Sequence, residues 1–174
     1  MTDFARLIRV LADANVEFIL VGGLAANSHG SARVTTAVDV VYARSKDNIG
    51  RLVRALAPLK PYLRGAPPGL PFDWSEATLR AGLNFTLTTV EGPIDLLGGI
   101  VGGGDYDDLL PHSSTVRAFG RDIRLLDLPW LIKVKRAAGR PKDLEAIAEL
   151  EALLEETQAQ TQTQTQTQYR RRLD

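Results

Sequence analysis

The chain contains no cysteine. That absence excludes disulfides, thiolate catalysis and cysteine-rich zinc sites together. Histidine is almost as scarce, with only His29 and His112, too few for a histidine-built metal centre. Net charge is lacking too, since 21 Lys and Arg balance 21 Asp and Glu. Any hold on nucleic acid or membrane must therefore be a local patch and not a whole-molecule effect. The longest apolar run, Phe18 to Ala26, is broken by Gly22 and Gly23 and falls far short of the ~20 residues of a membrane span. The chain opens with Asp3 and no basic-then-apolar pattern, so the expectation is no signal peptide and a cytoplasmic monomer.

What is present suits one globular domain: 174 residues, 44% of them apolar and 24% charged. The expected domain is residues 1–156. Residues 157–174 form a near-perfect Gln-Thr alternation followed by Tyr169-Arg170-Arg171-Arg172, with no apolar face to bury, and are expected to be a disordered tail or a frayed helix. Charge is segregated. Glu91 to Asp108 holds five acids and no base, whereas Arg117 to Asp143 holds eight bases and three acids. Such a pairing suits a site for metal ions and a polyanion, and it equally suits two solvated faces.

Periodicity predicts a helix on Phe4, Leu7, Ile8 and Leu11, then a buried strand over Val16 to Val21 ending at Gly22-Gly23. A short helix over Leu24 to Ser28 and a strand over Val38 to Tyr42 follow. Ser45 reads as the N-cap of a helix carrying Ile49, Leu52, Val53 and Leu56. Pro58 to Pro71, with five prolines and two glycines, reads as a loop, and Ser75 to Arg80 as a short helix. Strands are expected over Asn84 to Thr89 and Ile94 to Leu97, joined by a turn at Glu91-Gly92-Pro93, and over Thr115 to Phe119 and Ile123 to Leu126. Pro129 opens a helix that closes at Gly139, and a last helix runs from about Pro141 to Glu156. The sum is an α/β fold, a small mixed sheet flanked by helices with a helical C-terminal portion.

Three pieces carry chemistry. Val21-Gly22-Gly23, at a strand end before a helix, lets backbone N–H groups approach a phosphate. Asp39 lies inside an apolar strand, projecting on the side of Ala37 while Val38 and Val40 enter the core. Asp95 is likewise flanked by Ile94 and Leu96. An acid in such surroundings is costly unless solvated, paired or metal-bound. Two of them on adjacent strands could share an ion, and hard oxygen ligands point to Mg²⁺.

These pieces together resemble the polymerase-beta-type nucleotidyltransferase superfamily. Its pattern is apolar-Gly-[Gly/Ser], a spacer, Asp-apolar-[Asp/Glu]-apolar, and a third acid on a neighbouring strand. Here Gly22-Gly23 is followed by the spacer Leu24 to Thr36, then Ala37-Val38-Asp39-Val40, then Asp95. Within the superfamily the wording is most similar to the bacterial AbiEii-type enzymes, including MenT-like toxins. The similar stretches are His29-Gly30, Arg33-Val34-Thr35-Thr36-Ala37-Val38-Asp39, and Leu131-Ile132 through Lys135, Ala138, Arg140 and Lys142-Asp143.

The resemblance implies transfer of NMP from an NTP, with Mg²⁺ held by Asp39 and Asp95 in what is a two-ion site in the parent enzymes. It implies a tRNA 3′ end as the acceptor, with a protein hydroxyl next, and an antitoxin as partner. Ala37 stands where the family has its first Asp and cannot ligate a metal. The implied loss is at least ~100-fold in turnover, ~3 kcal/mol of transition-state stabilisation. Ala37 thus marks either an inactivating substitution or a naturally degenerate copy, and the rival reading is a non-catalytic module that binds nucleotide, RNA or protein.

Lys135 falls about 40° from Leu131 on a helical wheel, inside the apolar arc. A Lys there must snorkel or meet an anion, and triphosphate contact is the functional reading. Ser31, Arg33 and Arg140 are further candidates for phosphate contact, and turn chemistry, a surface charge and a salt-bridged cap are their plain alternatives. His29 could orient the glycine loop. His112 reads as a surface residue, and Trp74 and Trp130 as core anchors.

Overall fold

A computed structural model describes residues 1–173. The chain runs α1 (Phe4–Asp13), β1 (Phe18–Val21), α2 (Gly22–Ser28), β2 (Val38–Tyr42), α3 (Lys46–Leu56), β3 (Tyr62–Leu63), α4 (Glu76–Ala81), β4 (Asn84–Thr89) and β5 (Gly92–Leu97). It continues through α5 (Tyr106–Leu109), β6 (Ser113–Ala118), β7 (Arg121–Leu126), α6 (Leu128–Ala138) and α7 (Pro141–Leu173). The seven strands make one sheet in the order β3-β4-β5-β2-β1-β7-β6. β2 pairs with β5, and β1 with β7, in parallel; the other neighbours are antiparallel.

Alternation in the central strands follows the sequence. Val38 and Val40 on β2, and Ile94 and Leu96 on β5, are fully buried, while Asp39 and Asp95 between them are not. Each such apolar side chain contributes roughly 1.5–3 kcal/mol by leaving water. Local signals also hold. Ser45 accepts from the Asn48 N–H at the start of α3, and Ser75 from the Thr78 N–H at the start of α4. Gly139 takes the left-handed conformation that closes α6. The main core fills with α1 and α3 side chains, including Leu7, Ile8, Leu11, Ile49 and Leu52. A second cluster, Ala26, Leu128, Ile132, Ile147 and Leu150, ties α2 to α6 and α7.

Some expectations need correcting. The Pro58–Pro71 segment is not all loop, because Tyr62 and Leu63 form the edge strand β3. Pro61 precedes that strand and removes no ladder bond from it. The short helix α5 lies outside the elements that periodicity predicts, and Asp105 and Asp108 cap it reciprocally. The strand expected from Val16 begins at Phe18, since the Val16 N–H still bonds Leu11 and Asn15 sits at φ 56°. The tail is helical. α7 runs on to Leu173, every residue from Glu155 to Leu173 is exposed, and five Thr hydroxyls donate to carbonyls four residues back. Asp174 lies outside the described residues. No described helix is long and apolar enough to cross a membrane.

Candidate active site

The double glycine, the two acids and the basic helix ends meet at one place. Val21 is opposite Asp39 in the β1–β2 register, and Asp39 is opposite Asp95 in the β2–β5 register. Residues directly opposite share a face, so the two carboxylates stand side by side where β1 turns into α2. Gly22 makes that turn possible. Its φ is +68°, and a Cβ there would lie 2.1 Å from Asp39 Oδ2. Only glycine both adopts the backbone conformation and leaves room for the carboxylate.

Two adjoining cavities, of about 370 and 440 Å³, flank the acid pair. Both are lined by Gly22, Asp39, Asp95, Lys135, Arg140, Lys142 and Asp143. The second is the polar one, and all of Gly22, Gly23, Ser31, Arg33, Ala37, Asp39, Asp95, Lys135 and Arg140 line it. The candidate metal and phosphate positions from the sequence therefore lie on one cavity. The first cavity has an apolar wall of Val21, Leu97, Ile100, Leu131 and Val134.

Burial is the largest influence on Asp39 and pushes its pKa up to about 7. The negative charge of Asp95 and a hydrogen bond with it act in the same direction. A Gly23 backbone hydrogen bond and the Arg64 charge oppose them. The Gly23 N–H thus serves Asp39. Burial also works to raise Asp143, which is 3% exposed. Arg140, with Lys135 and Lys142, overcomes this and holds Asp143 below the usual carboxylate value. Arg140 Nε donates to Asp143 Oδ2 at 2.6 Å, and Lys135 Nζ stands 4.0 Å from Asp143 Oδ1. Lys135 is on the inner side of α6, as its wheel position requires, and Asp143 fixes it there.

The remaining residues divide. Ser31 is buried and its Oγ accepts from the Arg33 N–H at 3.3 Å. Arg33 turns toward Glu145 at 3.4 Å. Ala37 lies just before β2, at the cavity wall, and offers no donor. His29 Nε2 contacts the Leu126 carbonyl at 2.8 Å and so ties the end of α2 to β7. His112 stacks on Trp130 at 3.8 Å, and Lys133 Nζ lies 4.0 Å over the same ring. Trp130 is therefore a packed surface aromatic. Trp74 donates from Nε1 to the Val53 carbonyl.

Sequence reasoning missed Arg64. Its Nη2 donates to Asp95 Oδ1 at 2.7 Å and to the Leu87 carbonyl at 2.7 Å. It sits in the proline-rich segment, and only the pairing of β3 with β4 carries it to the site. Nothing local in the sequence marks it.

The donor set fits a hard cation in part. Asp39 and Asp95 offer carboxylate oxygens of the kind Mg²⁺ takes, with phosphate oxygens and water completing such a shell. Among the described residues no cluster of three or more His, Asp or Glu side chains is placed to hold a metal.

No protein-family model matches the chain, and no curated protein sequence matches it. Solved structures do. A Thermotoga maritima protein (TM1012), assigned provisionally to the nucleotidyltransferases, superposes with a TM-score of 0.54 at 15% identity, over 86% of this chain and 94% of that one. The antibiotic-resistance factor ANT(2'')-Ia superposes with a TM-score of 0.52 at 13% identity, over 95% of this chain and 94% of its own. The same factor in complex with adenylyl-2''-tobramycin gives 0.51 at 11% identity, over 90% and 95%. The chain has a nucleotidyltransferase fold. Its last helix, α7, is exposed from Glu155 to Leu173.

Proposed function

We propose that the chain binds a nucleoside triphosphate with a divalent cation and transfers NMP to a hydroxyl acceptor. The observation that carries this reading is the in-register pair Asp39–Asp95, set against the Gly22 bend, with Lys135 and Arg140 across the same cavity. Lys135, Arg140, Lys142 and Arg33 supply positive charge for the triphosphate. Asp39 and Asp95 would hold Mg²⁺. When bound, that ion supplies Lewis-acid polarisation of the reacting phosphate. In the reaction the acceptor oxygen bonds the α-phosphorus and the α-phosphorus–oxygen bond to the β-phosphate breaks. Pyrophosphate leaves with the electron pair, and the hydroxyl proton passes to water.

The rim also argues about the acceptor. A polycation such as tobramycin would meet Arg33, Arg64, Lys135, Arg140 and Lys142 at the cavity, whereas a polyanion would be attracted. RNA, and by the AbiEii resemblance a tRNA 3′ end, is the proposed acceptor, with the chain as the toxin of a toxin–antitoxin pair. Ala37 impairs turnover by removing one ligand from the acid cluster.

A second reading, a binding module without turnover, is favoured by the Arg64 ion pair that already engages Asp95. Incubation of the chain and of Ala37→Asp with Mg²⁺, each labelled NTP and total tRNA separates the two. Label transfer at least ~100-fold faster with Ala37→Asp supports the enzyme. Bound NTP with no transfer by either protein supports the module.

A further inference from the structure

The Arg64 contact belongs to a row that crosses the sheet. The Arg64 N–H donates to the Thr86 carbonyl at 3.0 Å, extending the β3–β4 pairing by one residue. Thr86 is opposite Asp95, Asp95 is opposite Asp39, and Asp39 is opposite Val21. Directly opposed residues share a face, so Arg64, Thr86, Asp95 and Asp39 form one line on the cleft side. Thr86 is short, and the Arg64 side chain passes over it to reach Asp95. The guanidinium is also anchored by the Leu87 carbonyl at 2.7 Å, so it is a fixed charge and not a swinging one. The Arg64 and Asp95 side chains are 33% and 24% exposed, which keeps solvent from screening the pair fully.

A two-cation site needs carboxylates bridging both ions. Here Ala37, at the cavity wall beside the two acids, has no oxygen ligand in its side chain, and one oxygen of Asp95 is engaged by Arg64. We propose that Arg64 takes the place of one of two divalent cations as a permanent monocation, so that the cleft takes a single divalent cation together with a nucleoside triphosphate. This rests on the nucleotide-binding reading above and narrows it. Asp39, adjacent to the Gly22 bend, is the main protein ligand of the single ion. Arg64 neutralises Asp95.

The test is ion stoichiometry, which needs no turnover. Mn²⁺ replaces Mg²⁺ and is counted by electron paramagnetic resonance and by calorimetry, with a non-hydrolysable NTP analogue present. The unaltered chain binds one Mn²⁺ per bound nucleotide. Ala37→Asp alone still binds one tightly. Ala37→Asp with Arg64→Gln binds two, the second at least about tenfold tighter than in Ala37→Asp, because a positive charge beside the ligands is gone. Arg64→Lys keeps a charge at Asp95, stays folded by circular dichroism and remains a one-ion protein. Two Mn²⁺ per nucleotide in the unaltered chain overturns the assignment to Arg64 while leaving nucleotide binding in place. No bound nucleotide with Mn²⁺ overturns both. Equal second-ion affinity with and without Arg64 overturns the substitution of charge for metal.

Discussion

Replacing Asp39 with Asn tests the electrostatics of the cleft directly. In the folded chain Asp39 keeps its proton up to about pH 7, first because it is buried and then because Asp95 stands beside it, whereas in the unfolded chain it ionises near 3.8. Between those values the folded state binds more protons, so stability falls as pH rises. Below about pH 3.8 the residue costs nothing; above about 7 the full penalty applies. The difference of about 3 pH units corresponds to about 4 kcal/mol, an upper bound that water in the cleft reduces to about 2–4. Asn reproduces the protonated form. Its oxygen can accept from the Gly23 N–H and its amide can donate to Asp95. Urea unfolding of the two proteins at several pH values should therefore give curves that coincide near pH 4, within about 0.5 kcal/mol, and separate by about 2–4 kcal/mol at pH 8, with Asn more stable. At this chain length the gap corresponds to roughly 4–16 °C in Tm. The difference between the curves reads residue 39 together with its interaction with Asp95 and cancels the titration of groups far from the pair. A constant separation across pH would refute the reasoning, as would a variant less stable than the parent at pH 8.

Three further outcomes are expected. Gly22→Ala forces a left-handed backbone on a residue with a Cβ and drives that Cβ against Asp39 Oδ2, so urea unfolding should show a loss of at least about 1–2 kcal/mol, and calorimetry a loss of Mn²⁺–nucleotide binding. Asp143→Asn frees Arg140 and Lys135 from their shared anion, costing about 1–3 kcal/mol at pH 7. Because the Asp143 pKa is held below its unfolded value, that advantage is present above about pH 3.8 and shrinks as pH falls further, so the two unfolding midpoints should converge in acid. Ending the chain after Glu156 removes, among the described residues, only exposed ones, and Tm measured by differential scanning calorimetry should change by less than about 2 °C.

Parts of this site are legible in the sequence because they depend on local periodicity. Val38-Asp39-Val40 and Ile94-Asp95-Leu96 each announce a strand with one acid turned away from the core, and Gly22-Gly23 announces a bend. Lys135 is legible because one helical turn separates it from Leu131. The adjacency of Asp39 and Asp95 is not legible that way. β2 and β5 are separated in the chain by α3, β3, α4 and β4, and only the parallel register sets the two acids opposite each other. Arg64 is less legible still. It follows a two-residue edge strand inside a segment whose prolines argue for loop, and its importance comes from the sheet order. In the tail the choice between disorder and helix stays open in the sequence because helix formation there draws on no tertiary contact. The Thr hydroxyls satisfy backbone carbonyls locally, a pattern that composition does not reveal.

The same packing that makes the acids visible also sets their chemistry. Val38, Val40, Ile94 and Leu96 are fully buried, which pins the register of β2 against β5 and leaves Asp39 and Asp95 no freedom to separate. Two adjacent carboxylates held this way repel when both ionise, and relief requires a proton, a cation or a metal ion. Arg64 relieves Asp95, and a proton relieves Asp39 up to about pH 7. A divalent cation carried by a nucleotide would displace that proton, so binding at pH 6 should release close to one proton per complex and binding at pH 8.5 almost none. Calorimetry in buffers of different ionisation enthalpy reads this number directly. Proton release that does not change with pH would mean that Asp39 is not the ligand.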